Sequence, residues 1–260
     1  MKIAKFDTSL TDAQWSLIQP MLPAAKKRGR PPTDRRRIID AVFYILKGGI
    51  QWRLLPEVFP PWKTVYHVFR KWSRENVWEA LNARLRALVR EAANKCCRPT
   101  AAILDSQSVK SDPHGGCVGY DAGKKIKGRK RHVLVDTMGL LLGVEITPAD
   151  TPERKGALAL LGRVLVWFTW LRRMWVDGGY TGEAFAESVK EIRPLLEVDV
   201  VKRSEDQKGF KVLHRRWVVE RTFGWLMRQR RLVRDYEKTE ASAAAWVYLA
   251  MIRIQARRLA

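Results

Sequence analysis

The sequence predicts an α/β protein in which an all-α, helix-turn-helix region precedes a mixed sheet flanked by helices. Three observations predict it. Apolar residues recur at helical spacing through the first ninety or so positions. The stretch Ala93-Asn94-Lys95-Cys96-Cys97-Arg98-Pro99-Thr100 then breaks that periodicity. Beyond it, short apolar runs alternate with helical patterns in the order strand, hairpin, helix, strand, helix, strand, helix. A chain of 260 residues accommodates one or two domains. The break gives two, over residues 1–95 and 100–260.

Each element has a local reason. Thr11 and Gln14 have the spacing of a capping box, with Leu10 and Trp15 placed as a hydrophobic staple, and Pro20 and Pro23 end that helix. A second helix starts near Thr33, carries Ile38, Ile39, Val42, Phe43 and Leu46 on one face, and stops at Gly48-Gly49. A third follows Pro60-Pro61 with Val65, Val68, Phe69 and Trp72 inward, and a fourth spans Val77 to Ala92. Short helices joined by Gly- and Pro-rich turns suggest a helix-turn-helix. In the second region Ala101 to Asp105 is a short apolar strand. Thr137-Met138-Gly139 turns a hairpin between strands at Arg131 to Asp136 and Leu140 to Thr147. A long helix is expected from Glu153 to Arg173, then a strand into Asp177, a helix from Glu183 to Ile192 and a strand from Leu195 to Val201. Arg215 to Leu232 reads as helix, and Thr239 caps a last one reaching Arg258.

Lys and Arg number 49 against 27 Asp and Glu, a formal net charge of +22. An excess of that size speaks about partners, and nucleic acid is the first expectation. No apolar run is long enough to span a bilayer, and the start lacks the apolar core of a secretory signal, so a cytoplasmic protein is expected. Cys96 and Cys97 are adjacent, which suits tetrahedral zinc ligation with Cys117 and His114 poorly; reduced thiols are the plain reading.

Three acids stand in apolar or glycine-turned settings. Asp105 ends Ala-Ala-Ile-Leu, Asp177 ends Met-Trp-Val ahead of Gly178-Gly179, and Glu220 lies at the margin of an apolar helical stripe with Arg216 on its face. Both aspartates are expected at carboxyl ends of sheet strands, where open α/β sheets place ligands. Two carboxylates about 4 Å apart repel by roughly 4 kcal/mol at an effective dielectric of 20, so a gathered trio needs a cation. Magnesium, hard and oxygen-seeking, is the expected one; two ions, or manganese in substitution, suit phosphoryl transfer. Spacing leaves other readings open: a turn cap at Asp105, a loop at Asp177, and an ion pair between Glu220 and Arg216 or Arg221. Asp136 at the hairpin reads as structural.

The segments LTDAQWSLIQPMLP, GRPPTDRRRIIDAVFYILKGGIQWRLLP, WKTVYHVFRKW, DSQSVK, GKKIKGRKRHVLVDTMGLL, WVDGGYTG and RRWVVERTFGWLMRQRRLVRDYE together resemble bacterial insertion-sequence transposases of the DDE type, in the group numbered family five. The resemblance runs nearly end to end. It implies a ribonuclease H-like catalytic core whose catalytic and metal-binding triad is Asp105, Asp177 and Glu220. Related transposases carry a Tyr-(2)-Arg-(3)-Glu-(6)-Lys signature. Arg216 and Glu220 match it, whereas Leu213 and Met227 replace the Tyr and Lys, and Arg228 is the neighbouring charge.

Several basic segments are expected to meet DNA. Lys124, Lys125, Lys127, Arg129, Lys130 and Arg131 form a dense loop placed for phosphates near the acids. Arg28 and Arg30 sit in a short match to a minor-groove hook. On the third helix Lys63, Tyr66, His67, Arg70 and Lys71 share exposed positions and make it the candidate recognition helix. Lys110 lies near Asp105. The Trp residues at 15, 52, 62, 72 and 78 read mostly as core. The combined expectation is an endonuclease and strand-transfer enzyme that binds terminal inverted repeats and target DNA as a homodimer on the bacterial nucleoid. A ribonuclease H-like nuclease without strand transfer, or a silent DNA-binding regulator, are the alternatives.

Overall fold

In the computed structural model, which describes residues 6–24, 33–112, 115–201 and 215–260, four helices come first: α1 (Asp12–Ile18), α2 (Arg35–Gly48), α3 (Trp62–Arg74) and α4 (Val77–Ala92). Strands β1 (Ala101–Lys110), β2 (Gly119–Asp121), β3 (Ile126–Asp136) and β4 (Leu141–Pro148) lead to α5 (Glu153–Val164). Then follow β5 (Arg173–Val176), α6 (Glu183–Ile192), β6 (Glu197–Val200), α7 (Trp217–Met227), α8 (Arg230–Val233) and α9 (Glu240–Leu259). The chain divides into two units. One comprises Met1–Lys95, Met227–Val233 and Ala245–Ala260; the other, Cys96–Leu226 and Arg234–Ala244. The second unit is therefore not the uninterrupted stretch 100–260: two late segments group with the N-terminal helices instead.

In the first unit the caps explain the helix ends. Thr11 Oγ1 accepts the Gln14 N–H at 3.1 Å while Gln14 Oε1 accepts the Thr11 N–H, closing the capping box on α1. Asp34 accepts from the Arg36 and Arg37 amides to start α2, and Gly49 ends it in the left-handed region at φ 71°. Ile38, Ile39, Val42, Phe43 and Leu46 are all buried, one stripe of α2. The aromatic core is wider than the N-terminal segment alone supplies. Trp246 of α9 stacks on Phe69 with centroids 4.7 Å apart, and Trp52 packs against both. Trp72 and Trp78 are buried against each other, whereas Trp15, Trp52 and Trp62 are half-buried.

The second unit holds a six-stranded mixed sheet in the order β2-β3-β1-β5-β6, with β4 paired to β3. β3 runs antiparallel to β1, β2 and β4, while β1, β5 and β6 are parallel. β3 residues 126–128 pair β2 and residues 129–135 pair β4, so these two share one side of β3 and β1 takes the other. Leu104 faces Leu134 across the β1–β3 ladder. Both enter a core with Leu142, Leu160, Val176 and Phe185, where α5 and α6 cover that face. Ile103, Val133 and Val135, alternating with them, are also buried, so both faces of the central strands are covered.

The hairpin closes at Gly139, φ 78°, with Asp136 accepting from the Met138 and Leu140 amides at 2.8 and 2.9 Å. That turn also holds α7: Arg221 Nη2 donates to Met138 O at 3.0 Å and Thr222 Oγ1 to Gly139 O at 2.9 Å. A Cβ on Gly139 would lie 2.7 Å from Thr222 Oγ1, so glycine serves both the turn and the approach of α7.

Several expectations are corrected. β1 continues through Lys110, so Asp105 sits inside the strand rather than at its carboxyl end. The long helix ends at Val164 and passes into a 3-10 turn, Leu165–Trp167. The segment from Arg215 to Leu232 is two helices, broken between Met227 and Arg230. The basic stretch is a loop only as far as Lys125. Arg129, Lys130 and Arg131 belong to β3 and are buried, at 2%, 5% and 2% exposure. They are therefore not phosphate contacts in this conformation. Arg129 Nη1 pairs with Asp235 Oδ2 at 3.3 Å, while its Nε donates to Cys117 O and its Nη2 to Lys238 O. Lys130 donates to Thr151 O at 2.9 Å, and burial holds the Arg131 guanidinium's pKa down to about 10.

Removing one partner of a buried ion pair leaves the other charge without compensation. Asp235→Ala is expected to lower the unfolding free energy by about 3–5 kcal/mol in denaturant titration. A loss below about 1 kcal/mol would show that the Arg129 charge is met some other way.

Candidate active site

The parallel pairing of β1 with β5, Ile103 opposite Trp175, brings Asp105 and Asp177 into one neighbourhood from distant parts of the chain. Asp177 follows β5 directly and caps the 3-10 turn Gly178–Tyr180, its Oδ1 accepting the Gly179 N–H at 2.9 Å. Asp105 is half-buried, and its Oδ1 accepts the Ser106 N–H at 2.7 Å. Burial raises the Asp105 pKa from 3.8 to about 6, with the Asp177 charge adding to the rise and Arg216 opposing it. Arg216 is the joining group. Its Nη2 lies 3.6 Å from Asp177 Oδ2 and 3.6 Å from Glu220 Oε1, one nitrogen between two carboxylates. Glu220 is exposed on the first turn of α7. The hairpin contacts of Arg221 and Thr222 set the register of that turn.

Two residues that sequence reading passed over belong to the same neighbourhood. Glu153, the first residue of α5, accepts from Ser106 Oγ at 2.9 Å and from Lys124 Nζ at 3.1 Å. A Cβ added to Gly179 would lie 2.9 Å from Glu153 Oε2 and 3.1 Å from Asp177 Oδ1, so both acids crowd the Gly178-Gly179 turn. An acid in the first turn of a helix is ordinarily explained by the helix dipole, which is why the sequence carried no further signal. Tyr180 is buried at 1% exposure, and burial together with the charges of Asp105 and Glu153 keeps its hydroxyl protonated well above the usual range.

Among the described residues, no three His, Cys, Asp or Glu side chains form a ready-made metal cage. The donor chemistry nonetheless fits a hard divalent ion. Asp177 and Glu153 carboxylate oxygens border Gly179, and the charge of Asp105 beside Asp177 is opposed by Arg216. Arg216 engages the Asp177 and Glu220 carboxylates equally, at 3.6 Å each.

The basic residues divide. Lys124 and Lys125 are exposed on the β2–β3 turn, Lys127 is exposed at the start of β3, and Lys110 is exposed at the end of β1. Arg228 is also exposed. In the other unit α3 presents an open hollow of about 510 Å³ lined by Trp62, Lys63, Tyr66, His67, Arg70 and Arg74. Arg70 lies over the Tyr66 ring at 5.9 Å. Arg74 and Trp62 join that surface unforeseen, whereas Lys71 sits 3.9 Å from Glu75 one turn along and does not line the hollow. Arg28, Arg30, His114 and Leu213 lie outside the described residues. Cys96, Cys97 and Cys117 form no disulfide.

Comparison with known families gives two matches. Residues 10–82 match the family described as "Putative transposase of IS4/5 family (DUF4096)". Residues 97–254 match the "Transposase DDE domain". The insertion element IS402 uncharacterized 16.2 kDa protein of Burkholderia cepacia is 33% identical over 109 residues, covering 39% of this chain and 73% of that protein. The uncharacterized protein y4sN of Sinorhizobium fredii is 33% identical over 106 residues, covering 40% of this chain and 78% of its own length. No solved structure matches.

The raised pKa of Asp105 makes stability depend on pH. Its proton is held more tightly in the folded state, so the contribution is full below about pH 4 and is lost as pH rises through about 6. Without divalent ions, Asp105→Asn is expected to be more stable than the parent at pH 7 by on the order of 1–3 kcal/mol. The gain should vanish near pH 4. Denaturant titrations across that range check it; a variant that loses stability at pH 7 would refute the buried-carboxylate description.

Proposed function

The chain belongs to the DDE-domain transposases, and we propose that it binds the terminal inverted repeats of an insertion sequence, cuts DNA there and joins the freed end to target DNA. The ribonuclease H-like core expected of that family accords with the mixed sheet, antiparallel at β3 and parallel through β1, β5 and β6. The observation that supports the catalytic reading is the meeting of Asp177 and Glu220 on one nitrogen of Arg216 beside the half-buried Asp105. No helix among the described residues is long and apolar enough to cross a membrane.

Asp105 and Asp177 would hold magnesium, with Glu220 joining them on release from Arg216. The bound ion would supply Lewis acidity, stabilising charge on the phosphoryl oxygens and favouring the deprotonated nucleophile. The protein's own residues do the rest. Arg216, turned from Glu220, can donate to a phosphate oxygen. The exposed Lys124, Lys125 and Lys127 hold the flanking backbone. Water adds to phosphorus, the 3′-oxygen leaves and takes a proton, and a 3′-hydroxyl and a 5′-phosphate result. In the second step that hydroxyl loses its proton as it attacks a target phosphodiester, whose own 3′-oxygen departs. The α3 hollow, basic and aromatic, is the proposed end-recognition surface within a helix-turn-helix. Joining two ends calls for a homodimer on DNA, working on the bacterial nucleoid.

Asp105→Ala, Asp177→Ala and Glu220→Ala are each expected to keep duplex binding while cleavage of DNA bearing the element's ends falls by about 10³-fold or more. Gel assays with a labelled 3′ end follow both cutting and joining. Cutting with no joined product would favour a plain nuclease, and unchanged cutting by any variant would remove that residue from the site. Duplex affinity should also fall about 10³-fold between 50 and 200 mM salt, as contact with six or more phosphates requires. A flat response would contradict backbone tracking.

A further inference from the structure

Lys124 differs from its neighbours on the β2–β3 turn in being held at both ends. Its backbone N–H donates to Asp121 Oδ1 at 3.0 Å, and its Nζ donates to Glu153 Oε1 at 3.1 Å. Both acids are themselves seated by alternate residues of β1. Ser106 Oγ donates to Glu153 at 2.9 Å and Ser108 Oγ to Asp121 at 2.5 Å. Residues two apart on a strand share a face, so one edge of β1 lays out both anchors. Lys130 Nζ, 3.6 Å from Asp121 Oδ2, adds to the second anchor. The Lys124–Glu153 pair is partly exposed, with side chains 44% and 28% accessible, and pairs of that kind contribute little to stability. Four ordered hydrogen bonds around one exposed lysine therefore call for a reason other than folding.

Position supplies it. Glu153 also crowds the Gly178-Gly179 turn with Asp177, and its charge is felt at Asp105. We infer that Glu153 is a positioning residue that parks Lys124 at the rim of the acid cluster, from which the lysine passes to a phosphate oxygen of the DNA strand entering the site. The inference rests on the phosphoryl-transfer reading above and deepens it, by singling out one lysine of the basic turn as the phosphate ligand. Arriving DNA presents several phosphate charges at once where Glu153 presents one, and Lys124, exposed and only weakly retained by a solvent-screened pair, is free to turn toward them. Ser106 continues to hold Glu153 after the exchange, so the acid does not follow the lysine.

The test is a double-mutant cycle in single-turnover cleavage of a labelled duplex bearing the element's ends, with the full chain and saturating magnesium. Lys124→Ala and Glu153→Gln should each slow cleavage by about 10- to 100-fold, the scale of one charge-assisted hydrogen bond. The double variant should be no slower than the slower single variant within about twofold, because the two act as one device. Duplex binding by Glu153→Gln should match or exceed the parent, since an anion has been removed. Lys124→Arg should recover most of the rate lost in Lys124→Ala, and this comparison decides the matter where Glu153→Gln fails to fold. Multiplying effects in the double variant would overturn the inference. So would a raised magnesium requirement in Glu153→Gln but not in Lys124→Ala, which would make Glu153 a ligand of the ion itself. Unimpaired cleavage by Asp105→Ala would instead bring down the underlying reading, so the two failures are distinguishable.

Discussion

Carboxylates repel, and every feature of the second unit's polar end answers that repulsion. The β1–β5 ladder forces Asp105 and Asp177 together, and α5 adds Glu153 at the same turn. Burial then raises the pKa of Asp105, the most enclosed of them. Cations offset the accumulation, Lys130 among them. Arg216 spans Asp177 and Glu220, while Lys124 meets Glu153. Gly179 leaves the space that a side chain would take from Glu153 and Asp177. On the proposed reading, a divalent cation and a phosphate would each replace a contact that Arg216 or Lys124 already makes.

How much of this was legible in the sequence depends on the range over which each signal acts. Helix caps, the hairpin at Asp136–Gly139 and the strand leading into Asp177 rest on residues within a few positions, and they were readable. Asp105 was readable as an acid after an apolar run, but the run does not end the strand. Ser106 and Ser108 look like loop residues, yet both are sheet positions whose hydroxyls are met by Glu153 and Asp121. Arg129, Lys130 and Arg131 invited the same error. A run of basic residues reads as solvated until its partner is known, and Asp235 lies more than a hundred positions away. Glu153 carried no distinguishing pattern, since its meaning comes from Gly179 and Lys124 and not from its neighbours in sequence.

The positive excess thus has two uses. One part is structural: Arg129 inside the sheet and Arg221 against Met138 satisfy distant carbonyls and carboxylates. Arg221 also lies between Trp217 and Trp225, at 4.3 and 4.6 Å from their rings, which stiffens the helix carrying Glu220. The other part stays accessible, at the β2–β3 turn in one unit and along α3 in the other. Counting Lys and Arg alone overstates the second use, and burial is what separates them.

The account turns on whether the acids share one divalent ion. Anomalous scattering from a manganese-soaked crystal addresses that directly. A peak bonded to oxygens of both Asp105 and Asp177, with the Glu220 carboxylate drawn away from Arg216 toward it, is the predicted result. At saturating manganese, a peak bonded to neither aspartate, or Arg216 still clasping both Asp177 and Glu220 with no ion between Asp105 and Asp177, would contradict it.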